Sequence, residues 1–135
     1  MSRYMLDTNM CIYLIKHQPQ SVAKRFHQCL VGDVVISAIT YAELEYGVAA
    51  SANPALEREN LAALIEDIKV AAFDGRAGVE YGSIRMATCE SKKDQLDKLI
   101  AAHAVSLGVT LVTNNVRDFA RYPGVMIENW LDAAH

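Results

Sequence analysis

The sequence predicts an α/β fold, a central parallel sheet covered by helices on both faces. Short apolar runs suited to buried strands alternate along the chain with longer stretches of helical periodicity. Caps, prolines or glycines stand at most junctions between them. No repeat, low-complexity tract or linker divides the 135 residues, so a single domain over 1–135 is expected.

Taken in order, Tyr4-Met5-Leu6 is a short apolar strand, and Asp7-Thr8 caps a helix that starts near Asn9. Pro19 opens a second helix that runs to about Cys29, since proline suits the first turn, where its missing N–H is not needed. Gly32-Asp33 turns the chain into the strand Val34-Val35-Ile36, and Ser37 precedes a helix through Tyr46. Pro54 opens a helix in which Leu56, Leu61, Leu64, Ile65 and Ile68 recur near helical spacing. Val70–Phe73 reads as a third strand, and Asp74 caps a helix to about Cys89. A polar segment, 90–94, leads into a helix from Gln95 to Ser106 that Gly108 ends in a left-handed turn. Val109–Thr113 is the clearest strand, and Val125–Ile127 a short last one.

Composition narrows the class. An apolar fraction of 52% with 21% charged residues describes a globular chain, and a domain of this size buries roughly 68–70% of its unfolded surface. No apolar run approaches the ~18 residues of a membrane span, and the N-terminus meets Asp7 too early for a signal peptide. The three cysteines, Cys11, Cys29 and Cys89, are odd in number and widely spaced, which suits reduced thiols in the cytosol. A net charge of −3 argues against coating nucleic acid through bulk positive charge; a nucleic-acid enzyme here needs a local basic rim or a cation.

Ligands of open parallel sheets bind at the carboxyl ends of the strands. Asp7 follows the first strand; Glu43 lies about two turns into the helix after the second; Thr113, Asn114, Asn115 and Asp118 follow the clearest strand; Asp97 opens the helix before it. Carboxylates gathered at one edge raise one another's pKa, and a hard divalent cation relieves that repulsion. Each residue also has a plain structural reading. Asp7 serves as an N-cap, and Glu43 as a solvated acid. Glu43 and Glu45 stand about 200° apart on a helix, so at most one faces a site. Asp97 heads a stripe with Ile100, Ala101 and Ala104, either as a ligand or as the third helical residue behind an Asp94 cap. His103 lies roughly 240° around from Asp97 and reads as a packed or hydrogen-bonded structural histidine. Thr113-Asn114-Asn115 binds phosphate or water, or forms a turn. Basic residues for a substrate rim are Lys92, Lys93, Lys98, Arg117 and Arg121.

Four strings in register resemble the PIN domain, and more closely the VapC-type toxins of toxin–antitoxin pairs: Met5-Leu6-Asp7-Thr8-Asn9; Thr40-Tyr41-Ala42-Glu43-Leu44 with Tyr46-Gly47; Asp97 with Leu99-Ile100-Ala101-Ala102-His103-Ala104; and Leu111-Val112-Thr113-Asn114-Asn115 with Asp118-Phe119. The resemblance implies a three-layer α/β/α sandwich, a Mg²⁺ site in which Mn²⁺ can substitute, and endoribonuclease activity that leaves 5′-phosphate ends. It implies an RNA substrate, with transfer RNA as the first guess, a VapB-like antitoxin and a homodimer. Asp7 and Asp97 match the family's metal-binding aspartates, and Glu43 its central glutamate. The family often has an aspartate where this chain has Asn115, so either Asn115 acts as a neutral ligand or Asp118 supplies the charge. Thr8, Asn9, Lys92, Lys93, Thr113, Asn114 and Arg117 are the expected substrate contacts. The loop 91–96 departs from the Gly-Pro type of many relatives. Two rivals fare worse. An aspartyl-nucleophile phosphohydrolase wants a second acid where Asn9 stands, and a receiver domain wants an acidic pair after its first strand. A silent RNA- or protein-binding module with this fold differs by lacking metal-dependent cleavage.

Overall fold

The computed structural model describes residues 2–89 and 94–131. The chain runs β1 (Tyr4–Leu6), α1 (Thr8–Lys16), α2 (Gln20–His27), β2 (Val34–Ser37), α3 (Ala38–Ala49), α4 (Pro54–Asp67), β3 (Lys69–Ala71), α5 (Gly75–Ala87), α6 (Gln95–Leu107), β4 (Thr110–Val112), α7 (Val116–Phe119) and β5 (Ile127–Glu128). The five strands form one sheet in the order β3-β2-β1-β4-β5, all parallel. Successive strand residues point to opposite faces, and the core divides accordingly. Leu6, Val34, Ile36 and Val112 pack with Met10, Leu44 and Leu61 of α1, α3 and α4. Met5, Val35 and Leu111 pack with Ile84, Ile100 and Phe119 of α5, α6 and α7. The three-layer α/β/α sandwich is therefore as expected.

Strand order sets the site. The chain builds outward from β1 to β2 and β3, then returns to place β4 on the other side of β1. The crevice above the carboxyl ends of β1 and β4 is the switch point of the sheet. Registers Leu6↔Val112 and Leu6↔Ile36 bring Asp7, Thr113 and Ser37 to that edge together, and the Asp7 N–H donates to the Val112 carbonyl at 3.0 Å.

Several boundaries differ from the apolar pattern, each for a reason of partnership. The third strand is Lys69–Ala71, one residue earlier than expected, because it pairs with Val35–Ser37; Phe73 leaves the sheet and stands edge-on to His103, 5.3 Å between centroids. The last strand is Ile127–Glu128, paired to Leu111–Val112, rather than Val125–Ile127. Its Glu128 accepts from Trp130 Nε1 at 2.9 Å and pairs with Arg25. Trp130 is 1% exposed, edge-on to Tyr4 at 5.3 Å, and closes the sheet end. Lys98, a candidate for the basic rim, is fully buried; its Nζ donates to the Thr88 carbonyl at 3.3 Å, which ties the end of α5 to the start of α6. The thiols of Cys11, Cys29 and Cys89 are free, and among the described residues no helix is long and apolar enough to cross a membrane.

Leu111→Ala, at a fully buried central position, is expected to cost about 2–5 kcal/mol of unfolding free energy. Val31→Ala, at a fully exposed site, should cost no more than about 0.5 kcal/mol. Urea unfolding followed by the fluorescence of the single Trp130 separates the two outcomes.

Candidate active site at the carboxyl edge of the sheet

Asp7 ends β1 and begins α1, and both readings of it hold at once. Its backbone is extended (φ −78°, ψ 176°), as an N-cap requires, and Oδ1 accepts from the Met10 N–H at 2.9 Å. Only 5% of the residue is exposed. Burial raises its pKa and the nearby Glu43 charge adds to that, while bonds from the Thr113 side chain and the Met10 and Asn9 backbone pull it down. Asn9 itself is exposed and contributes backbone rather than side chain to this arrangement.

Glu43 and Glu45 diverge as helical geometry demands. Glu43 faces the crevice, where Oε1 accepts from the Thr8 hydroxyl at 2.7 Å. Glu45 turns to Arg58, 2.6 Å away, and to the Tyr41 hydroxyl. Asp97 sits in the first turn of α6 above the buried Ile100, Ala101 and Ala104. Its pKa is pushed up to about 6, first by burial and then by the charges of Asp94, Glu43, Asp7 and Asp118. The charges that act on Asp97 thus come from four separate stretches of sequence. Asp94 occupies the N-cap position of α6 but does not cap it: its backbone is left-handed (φ 66°) and its side chain makes no bond to the helix. That carboxylate instead faces Arg121 at 3.5 Å.

The segment after β4 completes the edge. Thr113 is fully buried and its Oγ1 accepts from the Asn115 N–H at 2.9 Å. Asn115 Nδ2 donates to Asp118 Oδ2 at 3.1 Å, so the amide orients the acid. Asn114 Nδ2 donates to the Tyr13 hydroxyl at 3.3 Å. Arg117 is exposed on α7, and Arg121 lies beside Asp94. Lys92 and Lys93 lie outside the described residues. Two residues in this region carry no role in the sequence reading: Tyr122, and Thr40, which enters there only as part of the string Thr40–Leu44. Tyr122 is 2% exposed, and its phenol is pushed up to about 12 by burial and then by Asp97. Thr40 is fully buried one turn before Glu43. Their positions just beyond Asp118 and just before Glu43 were the available signal.

The donor set fits a hard divalent cation. The acids offer oxygen only, and three buried polar atoms on the segments that carry them, Thr40 Oγ1, Asn114 Oδ1 and the Tyr122 hydroxyl, lack a hydrogen-bond partner among the described residues. Buried polar atoms are ordinarily paired, so these mark places for water or a ligand. Yet among the described residues no three Asp, Glu, His or Cys side chains form a ready cage for an ion. The reason is visible in the partners: Asp7 is turned to the α1 backbone and Glu43 to Thr8. Beside Glu43 and Thr8 opens a groove of about 410 Å³ lined also by Ile12, Leu44, Val48 and Leu61.

Residues 4–125 match the model of the PIN domain family. The tRNA(fMet)-specific endonuclease VapC of Salmonella typhimurium is 38% identical over 132 residues, 96% of this chain and 99% of that protein. The ribonuclease VapC of Haemophilus influenzae is 38% identical over 137 residues, 97% of this chain and all of the relative. The DNA-bound VapBC complex of Salmonella typhimurium contains a chain that superposes with a TM-score of 0.89 at 38% identity, covering 96% of this chain and 99% of that one. With the family model matched over residues 4–125 and similarity along nearly the whole length, the chain belongs to the PIN domain family as one of its VapC ribonucleases.

Proposed function

We propose that this chain is a Mg²⁺-dependent endoribonuclease, the toxin of a toxin–antitoxin pair, acting in the cytosol on structured RNA such as transfer RNA. The observation that carries the reading is the pair of acids at the switch point of the sheet, Asp7 buried at the end of β1 and Glu43 bonded at 2.7 Å to the adjoining Thr8. Asp7, Asp97 and Glu43 hold the ion, which matches the oxygen-only donor set. When bound, a hard divalent ion supplies charge neutralisation and Lewis-acid polarisation of the phosphodiester and of the attacking water. Thr113 and the Met10 N–H aim Asp7, Thr8 aims Glu43, and Asn115 aims Asp118. In this reading Asp118 brings the fourth charge and Asn115 acts behind it. No side-chain nucleophile is needed, and hydrolysis by water leaves 5′-phosphate and 3′-hydroxyl ends. Arg117 and the backbone around Asn9 and Asn114 line the approach of the RNA, whose unpaired loops present accessible backbone and bases.

Transfer RNA is favoured because the Salmonella relative is named for cleaving one. A VapB-like antitoxin is favoured by the VapBC assemblies of related chains. The mixed apolar groove beside Thr8 and Glu43 offers such a partner a seat that reaches the acids. A homodimer accords with the exposed Val79 and Met86 on α5.

Cleavage of transfer RNA with Mg²⁺ present should be lost in EDTA and restored by Mn²⁺. Asp7→Asn should lower it at least about 100-fold, beyond the range of residues that merely support a ligand. Cleavage that survives both the chelator and the substitution sinks the metal assignment.

A second expectation concerns the metal-free protein. Asp97 has a higher pKa folded (about 6) than its ordinary value of 3.8. Between those values the native state binds more protons than the unfolded chain, so this group makes stability fall as pH rises from about 4 to about 6. Its unfavourable contribution is then complete at pH 7. Asp97→Asn should therefore stabilise the metal-free protein at pH 7 by on the order of 1–2 kcal/mol, after discounting for solvent around a half-buried group. The gain should vanish near pH 4 and shrink when Mg²⁺ is added. Urea unfolding at both pH values measures it; equal gains at pH 4 and pH 7 would refute the electrostatic account.

A further inference from the structure

Two buried polar residues outside the acid cluster join the helices that carry it. Ser37 ends β2 and caps α3; its Oγ accepts from the Ile39 N–H at 3.0 Å. The same Oγ lies 2.7 Å from Nδ1 of His103 on α6. Ser37 is fully buried and His103 is 1% exposed. Among the described residues the Ser37 hydroxyl proton has no other acceptor, so it goes to Nδ1, which leaves the ring proton on Nε2. Burial lowers the His103 pKa and keeps the ring neutral, as that role requires. Phe73, edge-on at 5.3 Å, fixes the ring plane. The Ala72 carbonyl acts on the ring as well, but Nε2 has no partner at hydrogen-bond distance among the described residues. The Ser37 bond thus holds the imidazole at Nδ1.

The spacing gives that bond a function. Glu43 lies six residues beyond Ser37 on α3, and Asp97 six residues before His103 on α6. At about 1.5 Å of rise per residue, each acid stands roughly 9 Å along its helix from the joined pair. Glu43 is held at the crevice by the Thr8 hydroxyl, and Asp97 lies in the first turn of α6. The two helices are therefore joined at a dry level by a hydrogen bond, and each carries an acid at a half-buried level beyond it.

We infer that the His103–Ser37 hydrogen bond sets the separation of Glu43 and Asp97, which makes His103 and Ser37 positioning residues for the divalent ion and for cleavage. The inference rests on the proposed metal-dependent nuclease reading. A small slide or rotation of α6 against α3 at the joined end is carried along less than two turns of rigid helix to the acids. Residues that support metal ligands in this manner are typically worth on the order of 10–100-fold in metal affinity or activity.

The test uses Mn²⁺ as the probe. Its binding to the purified full chain is read from loss of the free-ion electron paramagnetic resonance signal, and cleavage of transfer RNA is measured at varied substrate. His103→Leu keeps the bulk and removes the acceptor. His103→Asn keeps an acceptor near the position of Nδ1. Ser37→Ala removes the donor and leaves the histidine. We expect His103→Leu and Ser37→Ala each to weaken Mn²⁺ binding and lower kcat by on the order of 10–100-fold with KM little changed. His103→Asn should recover most of both, and the double variant Ser37→Ala/His103→Leu should be little worse than either single one. Should His103→Leu unfold, His103→Phe with circular dichroism like that of the unmodified chain takes its place, since Ser37→Ala also removes the α3 cap bond from the Ile39 N–H. Wild-type Mn²⁺ binding and turnover in a folded His103→Leu or Ser37→Ala variant overturns the inference, as does a loss in His103→Asn equal to that in His103→Leu. Failure of the underlying reading shows differently, as an unmodified chain that neither binds Mn²⁺ nor cuts RNA.

Discussion

A carboxylate that ends the central strand of a parallel sheet has little water around it. At 5% exposure Asp7 depends on groups the protein supplies: the Met10 and Asn9 N–H groups at the start of α1, and Thr113 from the neighbouring strand end. These donors exist because β4 returns to lie beside β1, so the switch in strand order creates both the crevice and the means of tolerating an acid in it. Everything else at the edge follows from having placed a negative charge there. Glu43 is drawn toward Thr8, Asp118 toward the neutral Asn115, and Asp97, which has no comparable donor among the described residues, has its pKa raised first by burial and then by the charges of the others.

Much of this was legible from residue types and spacing. A strand–Asp–helix junction announces a cap whatever surrounds it, and 200° of helical rotation separates Glu43 from Glu45 with no knowledge of the fold. The Asp97–Ile100–Ala101–Ala104 stripe likewise predicted a helix seated on the sheet, and all three apolar members are buried. What escaped was whatever depends on a partner distant in sequence. Lys98 reads as a surface charge until α5 packs against α6 and encloses it. Asp94 has the right residue type for a cap, but its left-handed backbone turns the carboxylate toward Arg121. The limits of β3 and β5 are set by which neighbours they bond, and two- or three-residue strands leave almost no apolar pattern of their own. Ser37 and His103 are separated by 66 positions; no local rule connects them.

The absence of a ready cage among the described residues follows from the same electrostatics. Without a cation, unscreened carboxylates lower their energy by taking internal donors and by standing apart. Asp7 has taken backbone N–H groups and Glu43 has taken a hydroxyl. A divalent ion would compete with these bonds, and it would gain most from Asp97, the acid least satisfied among the described residues. That ordering makes α6 the element with most to gain from an ion, while α1 and α3 are already held by caps.

A helix that responds to a charge at one end needs a fixed point at the other, or the response is dissipated as sliding. α6 supplies one at each level of its length. Its mid-section is buried from Ile100 through Ala104 against the sheet, and His103 bonds across to the cap of α3. Replacing that bond with apolar packing of equal volume would leave the core filled, because dispersion contacts do not depend on register as a hydrogen bond does. The buried polar pair is best understood as a device for direction rather than for stability. It holds α6 and α3 in one register, so that the repulsion among Asp7, Glu43 and Asp97 acts on a defined geometry instead of spreading into the fold.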